Sequence, residues 1–339
     1  MNSSDSERIS AALENLKYKP AKDIGGANLV VINACSIRQS AIDRVYGLVE
    51  KLKKSGKKPV TVLTGCVLKK DKIKFSRIFD YILDIRDIKK LPEILARQQT
   101  KKSLLPRSYL DITPKYSNKF SANVPIMNGC NNFCSYCVVP YTRGREISRP
   151  AKEIIFEVKN LVKKNYKKVW LLGQNVNSYK DGKTNFPKLV KLVNNIPGNF
   201  ELNFTSSHPK DFSDELIKTM AKCKHLSKKL NLPIQSGDDE ILKRMNRPYT
   251  VAQYKNLVAK IRKAIPDILL STDVIVGFPG ETKKQFESTV RTLKEIGFGV
   301  AFINKYSPRA GTAAAKMKDD VPWQEKKRRE KILIKLVNE

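Results

Sequence analysis

The sequence predicts an α/β protein with two domains, each built on a parallel sheet, and three observations support this. Short apolar runs alternate with longer amphipathic stretches along most of the 339 residues. The runs are apolar throughout, which is typical of parallel strands covered by helices on both faces. A polar, lysine-rich stretch over residues 98–123 interrupts the alternation and contains Pro106 and Pro114. Such a stretch indicates a boundary between domains.

The first domain is expected over residues 1–105. Its predicted elements are a helix over 6–16, a strand over 29–33, a helix over 37–54 and a strand over 60–63. Ser4 and Glu7 have the spacing of a capping box at the start of the first helix. Cys35 and Cys66 lie just beyond the two strands, where open α/β sheets place ligands. Buried structural cysteines are the alternative.

The second domain is expected over residues 123–339, after a linker over 106–122. Six apolar runs predict its strands, at 124–127, 169–172, 202–204, 230–234, 270–276 and 300–303. Helical patterns lie between them, and a basic helix over 323–338 follows the last. Six strand–helix units of this kind predict a barrel-like parallel sheet with its chemistry at the carboxyl ends of the strands.

The first of these strands leads into Cys130, Cys134 and Cys137. Three thiolates at these spacings can hold one cubane iron–sulfur cluster, which ordinarily takes four cysteine ligands. One iron then stays open, as in catalytic rather than structural metal sites. A structural zinc ion is the alternative and needs a fourth ligand, from His208, His225 or a distant cysteine. A disulfide is disfavoured by the odd number of closely spaced cysteines.

Polar loops follow the other strands. The second strand ends in a glycine and three amide side chains, which suit a zwitterion or a nucleobase edge: Gly173, Gln174, Asn175 and Asn177. The fifth ends in Gly277, Gly280 and Glu281, beside a Thr282–Gln285 capping box that turns a helix N-terminus toward the same place. Each loop is also adequately explained as a tight turn. Three arginines after the cysteines, Arg143, Arg145 and Arg149, are candidates for phosphate contacts or for ion pairs with acidic neighbours.

The net charge is +32, from 65 basic and 33 acidic residues. This charge predicts a polyanionic partner, with nucleic acid the first candidate. Solvated lysine faces are the alternative, because the lysines are spread along the whole chain. No apolar run approaches the roughly 20 residues that span a bilayer. The polar N-terminus shows no signal region, so we expect a cytoplasmic protein without a membrane partner.

Together these stretches resemble the radical S-adenosylmethionine (SAM) methylthiotransferases, over the whole chain. The motifs that carry the resemblance are NACSIR, TGC, NGCNNFCSYCVVPYTRGREISRP, LLGQNVNSY, TSSHP, LPIQSG and STDVIVGFPGET. The resemblance implies a flavodoxin-like N-terminal methylthiotransferase domain followed by a partial TIM-barrel (β/α)6 radical SAM domain. It also implies methylthiolation of an isopentenyl-modified adenosine beside the anticodon of tRNA.

The resemblance assigns roles to residues. Cys130, Cys134 and Cys137 would hold a [4Fe–4S] cluster whose open iron binds SAM, and Cys35 and Cys66 would hold a second cluster for sulfur insertion. No side chain is assigned as a catalytic acid or base. The residues expected to seat SAM are Gly173, Gln174, Ser206, Gln235, Gly277, Gly280 and Glu281. Those expected to bind substrate are Asn175, Asn177, Arg143, Arg145 and Arg149. The expected partners are tRNA, a flavodoxin- or ferredoxin-type electron donor and a sulfur source, with the enzyme a monomer.

The chain departs from the family at both ends. The family's second cluster has three cysteines, the first of which would stand just before Met1, and the family ends in a β-barrel RNA-binding module. Either the sequence is a fragment or the enzyme has lost its second cluster. Two other activities stay open: the same chemistry on threonylcarbamoyladenosine or on a ribosomal protein, and non-catalytic RNA binding by a basic metalloprotein.

Overall fold

The computed structural model describes residues 1–36, 39–54, 58–95 and 108–338. They form two compact units. One comprises Met1–Lys119 with Val138–Gly144, and the other comprises Phe120–Cys137 with Arg145–Glu339. None of the six cysteines, all within the described ranges, forms a disulfide. Among these residues no helix combines the length and apolarity that crossing a bilayer requires.

The first unit has a three-stranded parallel sheet in the order β1–β2–β3. Its helices and strands are α1 (Asn2–Asn15), β1 (Leu29–Cys35), α2 (Gln39–Lys54), β2 (Val60–Cys66), α3 (Lys69–Phe75), β3 (Tyr81–Ile82), α4 (Leu91–Leu95) and α5 (Val139–Arg143). The two predicted strands are confirmed, and each continues to its cysteine. The predicted first residues of α2, 37 and 38, lie outside the described ranges.

Successive residues of β2 face opposite sides of this sheet, as the pleat requires. Leu63 packs with Ile42, Val45 and Phe75 on one side. Val62 packs on the other side in a cluster that includes Ile9, Ile85, Ile88, Leu91, Tyr109 and Leu110. Residues 108–119, within the predicted linker, therefore pack as part of this unit, because Tyr109 and Leu110 are buried in its core.

The helix start predicted from Ser4 and Glu7 is wrong. α1 already begins at Asn2, and no side chain caps its N-terminus. Ser4 and Glu7 are both buried: the Ser4 hydroxyl accepts a hydrogen bond from Arg8 at 2.6 Å, and Glu7 accepts one from the Ser117 hydroxyl at 2.8 Å. Glu7 thus attaches the helix to the segment that contains Ser117, whereas the Ser4–Arg8 bond lies within the helix.

The second unit contains six parallel strands in two sheets, with the orders β10–β7–β4 and β11–β12–β13. These confirm the six predicted strands, and the described residues do not close them into a barrel. Its elements are β4 (Ser121–Pro125), β5 (Met127–Asn128), β6 (Ile147–Ser148), α6 (Ala151–Lys163), β7 (Lys168–Leu172), β8 (Lys180–Asp181), β9 (Thr184–Asn185), α7 (Phe186–Asn194), β10 (Glu201–Phe204), α8 (Asp214–Lys222), β11 (Lys229–Asn231), α9 (Asp239–Arg244), α10 (Val251–Ala264), β12 (Leu269–Val276), α11 (Lys283–Ile296), β13 (Val300–Lys305) and α12 (Trp323–Asn338).

The capping box predicted in this unit is confirmed, whereas the helix predicted from residue 211 begins at Asp214, after the Ser213 cap. Thr282 and Gln285 form the predicted capping box at the start of α11, and Thr250 and Gln253 form another at α10. Each box satisfies two backbone N–H groups that the first helical turn would otherwise leave without partners. The Thr282–Gln285 box thus fixes the end of the β12–α11 loop that leads into α11.

A buried ion pair joins α5 to α1 within the first unit. The Arg143 guanidinium is 2.5 Å from the Asp5 carboxylate, and both side chains are almost fully buried. Arg143 also donates hydrogen bonds to the Tyr109 hydroxyl at 3.2 Å and to the Cys66 sulfur at 2.8 Å. Burial by itself would lower the pKa of Arg143, but Cys66, Asp5 and Tyr109 outweigh it and raise the pKa.

Asp5→Ala should therefore lower the free energy of unfolding by about 3–5 kcal/mol, because it leaves the buried Arg143 charge without its partner. Urea unfolding followed by circular dichroism measures this change. Glu50→Ala is the matched control, since it removes the exposed pair between Glu50 and Lys53 and should cost about 1 kcal/mol or less. If the two substitutions lowered the free energy of unfolding equally, the buried Asp5–Arg143 pair would contribute no more to stability than an exposed pair, contrary to this prediction.

Candidate functional site

The cysteine loop, residues 130–137, has a shape fixed by the protein around it. Cys130 and Cys134 are each 8% exposed, and Cys137 is half-buried. Phe133 has a φ of 47°, in the left-handed region, which turns the chain between the first two cysteines. The Asn246 amide donates to the Phe133 carbonyl at 3.0 Å, and the Cys137 N–H donates to the Cys134 carbonyl at 2.9 Å. The three thiols are thus held on one tight, anchored turn.

A single zinc ion and an iron–sulfur cluster would use these thiols differently. In the described parts of the chain, no three Cys, His, Asp or Glu side chains converge so that they could hold one metal ion. A tetrahedral zinc site brings its four ligands to one point. A cubane binds each thiolate at a different iron, so its ligands stay further apart. Burial raises the pKa of Cys130, and a bound metal centre would act against that rise by favouring the thiolate.

Arg247 places a positive charge beside this loop, a role that sequence reasoning missed. Its guanidinium is 3.5 Å from the Cys134 sulfur and bonds the Tyr249 hydroxyl at 2.8 Å and the Pro233 carbonyl at 3.0 Å. Burial opposes the charge, but Tyr136, Tyr249 and Cys134 raise the pKa of Arg247 overall. The surrounding sequence, KRMNRPY, gives no local signal of this contact. The cation can stabilise a thiolate-bound, anionic cluster.

Buried polar atoms without hydrogen-bond partners surround the ends of the strands in the second unit. Among the described residues seven such side-chain atoms lie in the loops after these strands: Ser135 Oγ, Gln174 Oε1, Asn175 Oδ1, Asn177 Nδ2, Ser207 Oγ, His208 Nε2 and Tyr306 OH. Leaving a buried polar atom unpaired costs about 1–3 kcal/mol. A polar ligand that forms hydrogen bonds with these atoms would explain why the folded protein leaves them without protein partners. Their mixture of donors and acceptors fits a zwitterion such as SAM.

Three of the residues predicted to seat SAM, Gly173, Ser206 and Gln235, lie at positions with a steric or a backbone constraint. A Cβ atom at Gly173 would stand 2.6 Å from Cγ of Met127, so a larger residue would displace that side chain. Ser206 and Gln235 have φ values of 67° and 71°. Such conformations are costly for residues with side chains and are concentrated at functional sites. These positions keep their predicted roles as candidates.

Glu281 does not fit the predicted contact with cofactor. Its carboxylate is 3% exposed and accepts hydrogen bonds from the Gly277 N–H at 2.6 Å and from Arg329 at 2.7 Å. The side chain therefore determines the conformation of the loop in which it lies. Gly277 and Gly280 have φ values of 67° and 75°, which confirms the need for glycine at both positions.

The predicted substrate residues differ in environment. Arg149 is buried and paired with Glu157 at 2.8 Å, and Arg143 is buried in the first unit, so both guanidinium groups are engaged by protein atoms. Phosphate contacts by these two arginines, as predicted, are not supported. Arg145 is exposed and stacks over the Phe133 ring, with 4.3 Å between the guanidinium carbon and the ring centroid. It is the one of the three whose environment suits a nucleic acid.

The side-chain amides of Asn175 and Asn177 each make a hydrogen bond to protein and each keep one atom without a hydrogen-bond partner. The Asn175 amide donates to Asp211 at 2.7 Å, and the Asn177 oxygen accepts from the His208 N–H at 2.8 Å. Each keeps one buried atom unpartnered, Asn175 Oδ1 and Asn177 Nδ2. One end of each amide is thus fixed by protein, and the other end is available to a ligand.

Cys35 and Cys66 are adjacent across the sheet of the first unit. They are paired in the parallel register of β1 and β2, and a hydrogen bond with Cys35 together with burial raises the pKa of Cys66. The Arg143 guanidinium faces the Cys66 sulfur, and four buried side-chain oxygens among the described residues of this unit have no partner: Asp5 Oδ1, Glu7 Oε2, Asn33 Oδ1 and Thr64 Oγ1. The two neighbouring thiols could supply two ligands of a metal centre, and the described residues of this unit contain no third cysteine.

Comparison with known proteins agrees with this geometry. The radical SAM superfamily matches residues 124–293, and a family described as the uncharacterized protein family UPF0004 matches residues 1–84. The chain is similar to the solved radical SAM methyltransferase TsrM from Kitasatospora setae, with a TM-score of 0.63 and 14% identity, over 91% of this chain and 68% of that one. The fold and the cysteine loop are thus those of radical SAM enzymes.

Two curated relatives are much closer in sequence. Both are named tRNA-2-methylthio-N(6)-dimethylallyladenosine synthase. The one from Clostridium novyi (strain NT) is 43% identical over the whole chain and 79% of its own length. The one from Carboxydothermus hydrogenoformans is 41% identical over the whole chain and 81% of its own length. The chain belongs to the family of tRNA-2-methylthio-N(6)-dimethylallyladenosine synthases, within the radical SAM superfamily.

His208 should stay neutral over the physiological pH range. It is 4% exposed, and burial, with help from Arg247 and Lys210, lowers its pKa from 6.5 to about 2. The unfolded chain therefore binds this proton before the folded protein does, so stability is lost as the pH falls from 6.5 toward 2. The loss approaches about 1.4 kcal/mol per pH unit. His208→Gln should remove this part of the pH dependence in urea unfolding between pH 6 and 4. An unchanged pH slope in the variant would contradict the assignment.

Proposed function

We propose that the protein is a radical SAM methylthiotransferase that replaces the C2 hydrogen of an isopentenyl-modified adenosine, beside the anticodon of tRNA, by a methylthio group. One observation carries the proposal: three cysteine thiols on a fixed loop lie in a unit whose strand ends present seven unpartnered buried polar atoms. The loop supplies an incomplete ligand set, and the polar atoms suit the zwitterionic end of SAM. The names of the relatives supply the substrate.

Cys130, Cys134 and Cys137 would hold a [4Fe–4S] cluster through three of its irons. With SAM bound, this cluster supplies one-electron cleavage of the cofactor and so a radical able to abstract hydrogen. The adenine C–H bond is neither acidic nor electrophilic, so no positioned side-chain base could remove the proton. The chain's own residues have other tasks: Gly173 and the glycine loop, residues 277–281, would line the SAM site, and Gln174 would offer the cofactor a buried acceptor.

Cys35 and Cys66 would supply two of the ligands of a second cluster, which serves sulfur insertion. Arg143 beside Cys66 would offset the negative charge of thiolates and sulfide ions there. The proposal divides the work between the units: the second unit generates the radical, and the first holds the sulfur. We keep the full set of partners proposed from the sequence, namely tRNA, an electron donor of the flavodoxin or ferredoxin type and a sulfur source. The protein would act as a monomer in the cytoplasm.

Substitution of cysteines should separate the two tasks. Anaerobically reconstituted Cys130→Ala protein should lose about four irons and all formation of 5′-deoxyadenosine from SAM. Cys66→Ala should still cleave SAM but yield no methylthiolated nucleoside. Cys223→Ala is the matched control, because Cys223 only ends α8, and it should behave as the wild type. Iron assays and mass spectrometry of the products measure each outcome.

Nucleoside analysis of tRNA from a deletion strain tests the substrate. The proposal predicts accumulation of the isopentenyl nucleoside and loss of its 2-methylthio derivative. Loss of methylthio-threonylcarbamoyladenosine instead would assign the enzyme to the other modified adenosine. Unaltered tRNA nucleosides would contradict the proposal.

A further inference from the structure

The basic helix α12 has two charges turned into the protein. Lys326 is 2% exposed and Arg329 is 4% exposed, and both lie on the same face as the fully buried Leu333. The neighbouring Arg328 side chain is 51% exposed. Buried cations are expensive unless they are paired, so the partners of Lys326 and Arg329 indicate what this face does.

Arg329 is paired with Glu281 at the end of the glycine loop. Its Nη1 donates to the Glu281 carboxylate at 2.7 Å and to the Glu281 carbonyl at 2.9 Å, and its Nε donates to Glu325 at 2.8 Å. The same Glu281 oxygen accepts from the Gly277 N–H at 2.6 Å. One carboxylate therefore connects the first residue of the loop to the last and attaches both to α12.

Lys326 packs against the glycine loop at Gly277. A Cβ atom at Gly277 would stand 2.4 Å from Cγ of Lys326, so the glycine lies directly on the lysine side chain. The Lys326 ammonium is held by Asp319 at 2.6 Å, and Asp320 accepts a hydrogen bond from the Gly280 N–H at 2.7 Å. The left-handed conformations of both glycines are thus held by α12 and the segment before it.

The glycine loop also borders the cysteine loop. Phe278 is fully buried in a cluster with Met245, Tyr306 and Ala314, and Tyr136 of the cysteine loop packs against this cluster. The Ala314 N–H donates to the Ser135 carbonyl at 2.8 Å, and the Ser135 N–H donates to the Met245 carbonyl at 3.0 Å. A ligand bound over the cysteines would therefore meet the glycine loop, whose shape depends on α12.

We infer that Arg329, through its buried ion pair with Glu281, is a positioning residue of the SAM site, and that α12 holds the glycine loop in the conformation that receives the cofactor. The inference rests on the proposed function, since it takes SAM to be the ligand at this loop. Arg329 itself touches no cofactor. Its effect reaches SAM through Glu281 and the Gly277 backbone.

The test compares Arg329→Met with Arg328→Met in anaerobically reconstituted protein. Both substitutions remove a charge and the hydrogen bonding of that arginine to Glu325, two bonds for Arg328 and one for Arg329, but only Arg329→Met releases Glu281. Arg329→Met should weaken SAM binding by about tenfold or more, the usual effect of losing an outer partner of a site, with iron content unchanged.

Arg329→Met should also raise KM for SAM more than it lowers kcat, and Arg329→Lys should restore part of the affinity. Arg328→Met should bind SAM as the wild type does.

A second variant tests the inference if Arg329→Met does not fold. Replacing both members of a buried pair by apolar residues is often tolerated, so Glu281→Met with Arg329→Met should fold and still bind SAM weakly. Wild-type affinity in that folded double variant, or in Arg329→Met with its full iron content, would overturn the inference and leave the proposed function intact. Absence of SAM binding by the reconstituted wild type would instead overturn the proposed function.

Discussion

Parallel strands bring their carboxyl ends to the same edge of a sheet, and the rest of this structure depends on that constraint. In the first unit it pairs Cys35 with Cys66 across neighbouring strands. In the second unit it places the cysteine loop and the amide loop after β7 at the same edge of one sheet, and the glycine loop after β12 at the corresponding edge of the other sheet. Residues far apart in the sequence thereby become candidates for one site, without any local signal linking them.

Charged groups at these edges are neutralised inside the protein. Arg143 lies between Asp5 and Cys66 in one unit, and Arg329 lies against Glu281 in the other. Burial raises the pKa of Glu281, and the Gly277 N–H and Arg329 act against that rise. Each arginine is thus retained at a cost in desolvation, which is understandable where it holds a functional segment in one conformation. Much of the basic character of the chain stays on its surface, where it suits a polyanionic partner.

The sequence predicted those features that depend on local pattern. The strands, the order of the helices, the capping box at Thr282 and the cysteine loop follow from periodicity and spacing, which neighbouring residues determine. Features that depend on partners distant in the sequence were missed or misassigned. Glu7 looks like one half of a capping box, yet it accepts a hydrogen bond from Ser117. Arg149 looks like a phosphate ligand, yet it donates to the Pro125 carbonyl and is paired with Glu157. Nothing in the pattern of α12 distinguishes Arg329 from Arg328.

The central claim is that three cysteines hold a cluster with one iron open to SAM. The most direct test is the EPR spectrum of the reduced, anaerobically prepared protein before and after addition of SAM, with the Cys35 and Cys66 site removed so that one cluster contributes. The account predicts a cluster signal whose shape changes when SAM binds the open iron. A signal that SAM leaves unaltered, or a protein that takes up no iron, would contradict it.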